Sequence, residues 1–259
     1  MIVTTAGRTN EIMVELAKEV AVELEIPFVD RKKRSVLSIQ EQTNEDILVV
    51  GKNRFEIHPL HGEALFFHPN SSMFRMKRIM KGEHDPFVQA CGLKQGSTIL
   101  DCTLGLGSDS IVASFVVGEP GKVTSIEGNK YLYYLLKSGL KSWDTGSFVM
   151  NEAMARIKVR HDDFEKFLAE CPSNSFDVVY FDPMFEETID ESEGIKGLRH
   201  FAIYSTLSVE TIELAKKVAK QRVVLKDHWK SETFDKYGFT VFKRKTAKFH
   251  FGVINVEGS

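Results

Sequence analysis

Thr98-Ile99-Leu100-Asp101-Cys102-Thr103-Leu104-Gly105-Leu106-Gly107-Ser108-Asp109 reads as a strand, a glycine turn and the start of a helix. Glycines at such a turn let the backbone bend sharply and approach a ligand closely. Free amides at the start of the following helix favour an anionic group. The G-x-G-x-x-G pattern of dinucleotide sites is incomplete, because Ser110 holds the place of the third glycine. Asp101 is the discriminating residue. An acid at the end of the strand, facing the turn, repels a pyrophosphate and suits a ligand with a positive amino group.

Outward from this turn, strands and helices alternate. Strands are expected at 98–102, 122–127, 157–160, 176–181 and 222–226, and helices at 109–117, 130–142, 164–170 and 209–220. That alternation argues for a parallel sheet with helices on both faces. Two last strands, 239–243 and 249–253, have no helix between them and are expected to close the sheet as an antiparallel pair. Before residue 85 the texture differs. A strand at 2–5 precedes a helix capped by Asn10, with Ile12, Leu16, Val20 and Leu24 at four-residue spacing. Strands at 47–50 and 54–57 form a hairpin around Gly51-Lys52-Asn53, and 64–67 adds a third strand. Residues 71–80 form a basic loop or short helix, and Pro86 to Cys91 a short helix ended by Gly92. The expected domains are therefore 1–84, an α+β extension serving substrate recognition, and 85–259.

The second strand of the alternating region ends in Glu127-Gly128, where a carboxylate can take both ribose hydroxyls. The third ends in His161-Asp162-Asp163-Phe164, where an acid can accept from an adenine amine or cap the next helix. Acids at three successive strand ends describe a ligand with a cation, a ribose and an adenine, and no phosphates. S-adenosylmethionine has that make-up. The expected cofactor contacts are Asp101, Thr103, Gly105, Gly107, Ser108, Asp109, Glu127, Gly128, Asp162, Asp163 and Asp182.

The fourth strand runs Asp177-Val178-Val179-Tyr180-Phe181 into Asp182-Pro183-Met184-Phe185. Asp-Pro alone reads as a strand-ending turn. At this strand, after the three acids, Asp182 to Phe185 resembles the D/N-P-P-Y/F motif of Rossmann-like methyltransferases that modify exocyclic amines. In more detail the chain resembles the bacterial 16S ribosomal RNA guanine-N2 methyltransferase J family. The shared runs are Asp-x-Thr-x-Gly-Leu-Gly-x-Asp at 101–109 and Val-Val-Tyr-x-Asp-Pro-Met-Phe at 178–185. A Lys-x-x-x-Arg-x-Phe pattern is partly matched by Lys196, Arg199 and Phe201, and a Val-Val-x-Lys strand by Val223 to Lys226. The chain departs from the family at Ser108, Gly128 and Asp227, where the family carries basic residues.

The resemblance implies a class I methyltransferase sheet, parallel with one antiparallel C-terminal strand. It implies catalytic roles for Asp182, Pro183 and Phe185, and RNA contacts by Lys196, Arg199 and Lys226. An exocyclic amine is a poor nucleophile, because its lone pair is delocalised into the ring. Acceptors aimed at its N–H groups, here the Asp182 carboxylate and the Pro183 carbonyl, favour the change towards tetrahedral nitrogen. Phe185 offers a stacking face for the base. The substrate so implied is a guanine amine in small-subunit ribosomal RNA. Adenine in nucleic acid or a protein glutamine is the second reading, although those families carry Asn-Pro-Pro-Tyr. A non-catalytic RNA-binding assembly factor that keeps the cofactor pocket is the third.

Composition narrows the rest. The 259 residues are 42% hydrophobic, which excludes wholesale disorder. Thirty-four Lys and Arg against 36 Asp and Glu give a net charge of −2, unlike a polybasic nucleic-acid binder. The sum is a cancellation between segments. Residues 161–193 hold one Lys and eleven acids, whereas 216–248 hold eleven Lys and Arg and three acids. RNA phosphates are therefore expected on the basic segments. Three scattered cysteines fit neither a disulfide framework nor a zinc knuckle, and Cys102 reads as a small core filler. His58, His61 and His68 lack supporting ligand spacing, so no metal is expected. The acidic stretch 186–194 reads as a lid or a solvated loop. With no signal peptide or long apolar run, the expected setting is the cytoplasm, with RNA as partner and neither membrane nor obligatory protein partner.

Overall fold

A computed structural model of the chain describes residues 1–183, 201, 207–244 and 247–256. In chain order the elements are β1 (Ile2–Thr5), α1 (Glu11–Leu24), α2 (Val36–Thr43), β2 (Ile47–Val50), β3 (Phe55–His58), β4 (Leu65–Phe66), α3 (Asn70–Met80) and α4 (Pro86–Cys91). There follow β5 (Thr98–Asp101), α5 (Ser108–Val117), β6 (Lys122–Glu127), α6 (Lys130–Ser142), α7 (Phe148–Ala155), β7 (Lys158–His161), α8 (Phe164–Glu170) and β8 (Phe176–Phe181). The last are α9 (Val209–Val218), β9 (Ala219–His228), α10 (Thr233–Lys236), β10 (Thr240–Phe242) and β11 (Phe249–Asn255).

The described residues fall into two units, one of 1–68, 130–144 and 201, the other of 69–129, 145–183, 207–244 and 247–256. In the first, a four-stranded sheet runs in the order β1-β2-β3-β4, with β1 parallel to β2 and the rest antiparallel. The Asn10 side chain accepts from the Met13 amide at 2.9 Å and caps α1, as its sequence position predicts. Glu25 takes a left-handed conformation (φ 53°) at the helix end, and the chain then pairs Phe28 with Val3. The helix α6 follows a strand of the large sheet yet belongs with this first unit, where Lys130 Nζ donates to the Leu24 carbonyl at 2.9 Å.

The second unit holds a seven-stranded sheet in the order β10-β11-β9-β8-β5-β6-β7. Strands β5 to β9 are parallel, and β11 inserts antiparallel between β9 and β10, as the sequence leads one to expect. Strand alternation sends residues to opposite faces. Leu100, Val179, Phe181, Val223 and Leu225 pack with Ile212 and Ala215 of α9 and Phe234 of α10. The alternate residue Tyr180 meets Phe87 of α4 edge-on at 4.8 Å, so both faces are covered. Asp177 fixes the register of the two central strands. Its carboxylate accepts from the Thr98 amide (2.7 Å) and hydroxyl (3.0 Å), and its amide donates to Thr98 Oγ1 (2.9 Å).

Gly252 in β11 has no room for a side chain. A Cβ there would stand 2.5 Å from the Phe234 ring and 2.8 Å from Phe239 Cβ. Gly252→Ala is expected to destabilise the fold by about 1–3 kcal/mol, read as a lower midpoint in urea with unchanged slope.

Candidate active site

The carboxyl ends of β5, β6, β8 and β9 emerge on one edge of the sheet, the place where open α/β sheets bind ligands. Asp101 ends β5 and is 2% exposed. It accepts from the Thr103 amide at 3.0 Å and from the Ser110 hydroxyl at 2.5 Å, and Ser110 in turn meets Ser125 Oγ at 2.7 Å. The turn beyond it is held by the Leu104 amide on the Ile126 carbonyl (3.0 Å) and the Gly107 amide on the Leu104 carbonyl (2.8 Å). Gly105 and Gly107 have φ of 52° and 76°, the left-handed region where a side chain is costly. Ser108 opens α5, and its hydroxyl is buried without a hydrogen-bond partner among the described residues.

Glu127 ends β6, is 8% exposed and accepts from the Asn129 amide at 2.9 Å. Burial pushes both acids up to about 7. For Asp101 the Ser110 and Thr103 hydrogen bonds oppose the rise, and Asp109 and Asp182 add to it. For Glu127 the amides of Asn129, Gly105 and Gly128 oppose it. Neither acid forms an ion pair among the described residues. Two buried carboxylates with spare acceptor capacity and no countercharge suit a ligand that brings an ammonium group and hydroxyl donors.

Asp162 and Asp163 follow β7. The Asp163 carboxylate accepts from the Lys166 amide at 2.9 Å and caps α8. Asp162 accepts from the Asp163 amide at 2.9 Å, and its own amide reaches the Glu127 carbonyl at 3.3 Å, which places it beside the end of β6.

Asp182 stands just past β8. Its amide donates to Thr103 Oγ1 at 2.6 Å, so Thr103 bridges Asp101 and Asp182. Its carboxylate lies 2.6 Å from Lys226 Nζ. Burial raises its pKa, against the pull of the Lys226 ammonium, and Asp109 raises it further.

Lys226, expected as an RNA contact, is here held by carboxylates of the protein itself. Its ammonium also pairs with Asp109 at 3.3 Å, and the two acids hold its pKa above the usual lysine range despite burial. Asp109 differs as well. Expected among the cofactor contacts, it directs its carboxylate to Arg75, to the Tyr180 hydroxyl at 2.8 Å and to Lys226. Those partners hold it well below the usual carboxylate range even though burial works the other way. Arg75 is anchored on its other side by both oxygens of Asp85, at 2.8 and 2.9 Å. The chain of contacts Asp85–Arg75–Asp109–Lys226–Asp182 thus runs from the start of α4, through Arg75 of α3, to the end of β8. Sequence reasoning counted residues 71–80 among the basic segments and assigned no site role to Arg75, Asp85 or Tyr180. The available signal was local: residues 69–82 contain four cations and no acid, so Arg75 needed a remote partner.

Pro183 follows at the edge of the described residues, and Phe185, Lys196 and Arg199 lie outside them. Among the described residues no group of three His, Cys, Asp or Glu is placed to hold a metal ion. His58 of the histidine cluster pairs instead with Glu56 at 3.0 Å. No described helix is long and apolar enough to cross a membrane.

Residues 31–253 match the family model described as "Putative SAM-dependent methyltransferase". The chain belongs to this methyltransferase family. S-adenosylmethionine is accordingly its cofactor. The methyltransferase is 48% identical over 252 residues, 97% of its length and 98% of the relative's, to Uncharacterized protein YpiP of Bacillus subtilis (strain 168). It is 30% identical over 174 residues to Ribosomal RNA small subunit methyltransferase J of Laribacter hongkongensis, covering 65% of this chain and 60% of that protein. The same-named protein of Buchnera aphidicola (subsp. Acyrthosiphon pisum, strain APS) is 32% identical over 149 residues, 56% of this chain and 59% of that one. The chain thus matches about 60% of the length of these two relatives. A SAM-dependent methyltransferase structure from Neisseria gonorrhoeae, NGO1261, superposes with a TM-score of 0.65 at 17% identity, covering 100% of this chain and 97% of that one. That likeness bears on the fold alone.

Proposed function

We propose that this methyltransferase modifies the exocyclic N2 amine of a guanosine in small-subunit ribosomal RNA. The observation that carries the reading is Asp182, set at the carboxyl end of β8 by Thr103 and Lys226 and followed by Pro183. The relatives named for small-subunit ribosomal RNA support the choice of substrate. S-adenosylmethionine supplies an electrophilic methyl group on a sulfonium.

In this reading Asp101 receives the cofactor's amino group and Glu127 its ribose hydroxyls. Asp162 accepts from the adenine amine, while Asp163 caps α8 beside it. Gly105, Gly107 and Gly128 leave the backbone accessible, and the unpartnered Ser108 hydroxyl is available as a donor. Asp109 acts through Lys226 and not on the cofactor. The Asp182 carboxylate and the Pro183 carbonyl accept the two N–H groups of the target amine, drawing electron density onto the nitrogen as it attacks. Methylation leaves a surplus proton on that nitrogen, and Asp182, with its raised pKa, is placed to take it. Phe185 stacks on the base, and Lys196 and Arg199 meet phosphates.

The two buried acids make cofactor binding pH-dependent. They are ionised above about pH 7, and an ammonium or hydroxyl donor needs the ionised form. Affinity is expected to rise from about pH 6 to about pH 8 by about 10-fold for each acid engaged, measurable by calorimetry. The stability sign is opposite for the empty protein. Both pKa values lie above their unfolded values, so the native state holds more protons than the unfolded chain between about pH 4 and 7. These groups therefore lower stability as pH rises through that window. The thermal upshift on adding cofactor should be larger at about pH 8 than at about pH 6.

The test of substrate compares modified nucleosides in ribosomal RNA from a deletion strain and its parent by mass spectrometry. Purified protein is then supplied with the unmodified subunit. Loss of N2-methylguanosine and its restoration in vitro are expected. An unchanged level refutes the guanosine assignment, a missing methyladenosine redirects it to adenine, and a methylglutamine missing from the proteins of the deletion strain, read by peptide mass spectrometry, redirects it to protein.

A further inference from the structure

Strands β8 and β9 run side by side, so Asp182 and Lys226 emerge together. Three residues past Lys226, about 10 Å further at the rise of a strand, stands Trp229. Its backbone is fixed on both sides. The Trp229 amide donates to the Lys248 carbonyl at 3.1 Å, continuing the β9–β11 pairing. The turn after it is closed by the Ser231 amide on the His228 carbonyl at 2.9 Å. Asp227, the acid of this turn, accepts from the His228 amide and the Ser231 hydroxyl, both at 2.6 Å, and so is engaged in shaping it.

The indole held by this turn is nevertheless 50% exposed. Lys230 Nζ lies 5.0 Å from its ring centre and the His228 ring 5.9 Å away. Nearby on β11, Phe249 has Arg244 at 4.6 Å and Lys226 at 4.9 Å over its ring. Residues 226–250 hold seven Lys and Arg and three acids. An aromatic face open to water, a cation lying on it and a net positive surround at the ligand-binding edge of a sheet are the ingredients of single-strand recognition. The ring takes a base and the ammonium takes a phosphate.

We propose that Trp229 and Lys230 form a stacking subsite for an unpaired nucleotide flanking the target base. The proposal rests on the reading of RNA as substrate and adds where the strand beside the target lies. A lysine over an exposed ring is worth about 2- to 5-fold in a local equilibrium. A base stacked on an aromatic ring is worth about 5- to 150-fold. The base therefore displaces Lys230 from the indole and leaves its ammonium for the adjoining phosphate.

The chain has two tryptophans, so Trp143→Phe leaves Trp229 as the sole indole reporter. Titrating that variant with a single-stranded oligoribonucleotide should quench its fluorescence at lower concentration than the matching duplex does. On the unmodified small subunit, Trp229→Ala should raise KM by about 10-fold or more with kcat changed less than about 2-fold. Trp229→Phe should stay near wild type, and cofactor affinity should be the same in all three. An unquenched indole, or a Trp229→Ala enzyme with wild-type KM on an RNA that the wild type methylates, overturns the subsite and leaves the activity standing. Quenching by RNA with no RNA methylated by the wild type is told apart from that result: stacking on the indole stands, but the methylation assignment falls and the place of Trp229 beside a target base falls with it.

Discussion

Asp182→Ala is expected to lower the single-turnover rate of methyl transfer by about 100-fold or more while leaving the cofactor Kd within about 3-fold. The size follows from the role proposed for the carboxylate. In that reading positive charge appears on the target nitrogen only as the methyl arrives, so an acceptor fixed beside it favours the transition state over the bound substrate. Asp182 is fixed by two contacts that owe nothing to substrate, the Thr103 hydroxyl on its amide and the Lys226 ammonium on its carboxylate. Alanine removes the acceptor and leaves Lys226 paired with Asp109, so the fold should survive. Asp182→Asn, which keeps an oxygen acceptor without the charge, should fall between the two. Lys226→Met separates positioning from acceptance. Without the ammonium the Asp182 pKa rises further, and the acidic limb of the pH–rate profile moves to higher pH. A rate unchanged in Asp182→Ala removes Asp182 from the chemistry.

Most of the large sheet was legible because its signals are local. The central strands β5, β6, β8 and β9 carry short apolar runs that end in a turn or a charged residue, whereas the edge strand β7, Lys158-Val159-Arg160-His161, shows only alternation. The missing helix before β11 announced the antiparallel insertion. What escaped were α2, α7 and α10, at 36–43, 148–155 and 233–236, short helices whose apolar residues lack a sustained period. Residues 71–80 were ambiguous for a physical reason. The cations along 70–80 mask its apolar face, yet Met76 is buried while Phe74 is exposed. Nor does sequence adjacency reveal that α6, between β6 and β7, belongs with the unit of residues 1–68.

The site was legible to a different depth. Acids at strand ends can be found from spacing, and Asp101, Glu127 and Asp182 do stand at neighbouring strand ends, with Thr103 joining the first and third. Pairing between remote residues cannot be found that way. Asp109 looks like a ligand contact in its motif, and Lys226 looks like a phosphate contact in its strand. Only the fold brings Arg75, 34 residues before Asp109 and far from Lys226 in the chain, to the same cluster. The charge of a residue was readable from sequence, but not which charges neutralise one another.

Arg75→Ala is the substitution expected to cost the most stability, about 3 kcal/mol, or roughly 6–12 °C in Tm. The guanidinium grips Asp85 with two parallel hydrogen bonds and Asp109 with a third, and both acids are largely buried. Removing it leaves two carboxylates short of a countercharge, the costly way to break a buried pair. The loss stays near the lower end of that range because each acid keeps other partners. Asp85 still accepts from the Phe87 and Val88 amides at the start of α4, and Asp109 still has Lys226 and the Tyr180 hydroxyl. Arg75→Lys restores one charge without the two-pronged geometry and should recover part of the loss. The pH dependence fixes the cause. Asp109 is held below its unfolded pKa, so its share of stability is present above about pH 4 and fades as the solution is acidified through the folded pKa. Arg75→Ala weakens that depression, so its deficit should be full near neutral pH and shrink towards acid, whereas a deficit from lost packing alone would stay constant.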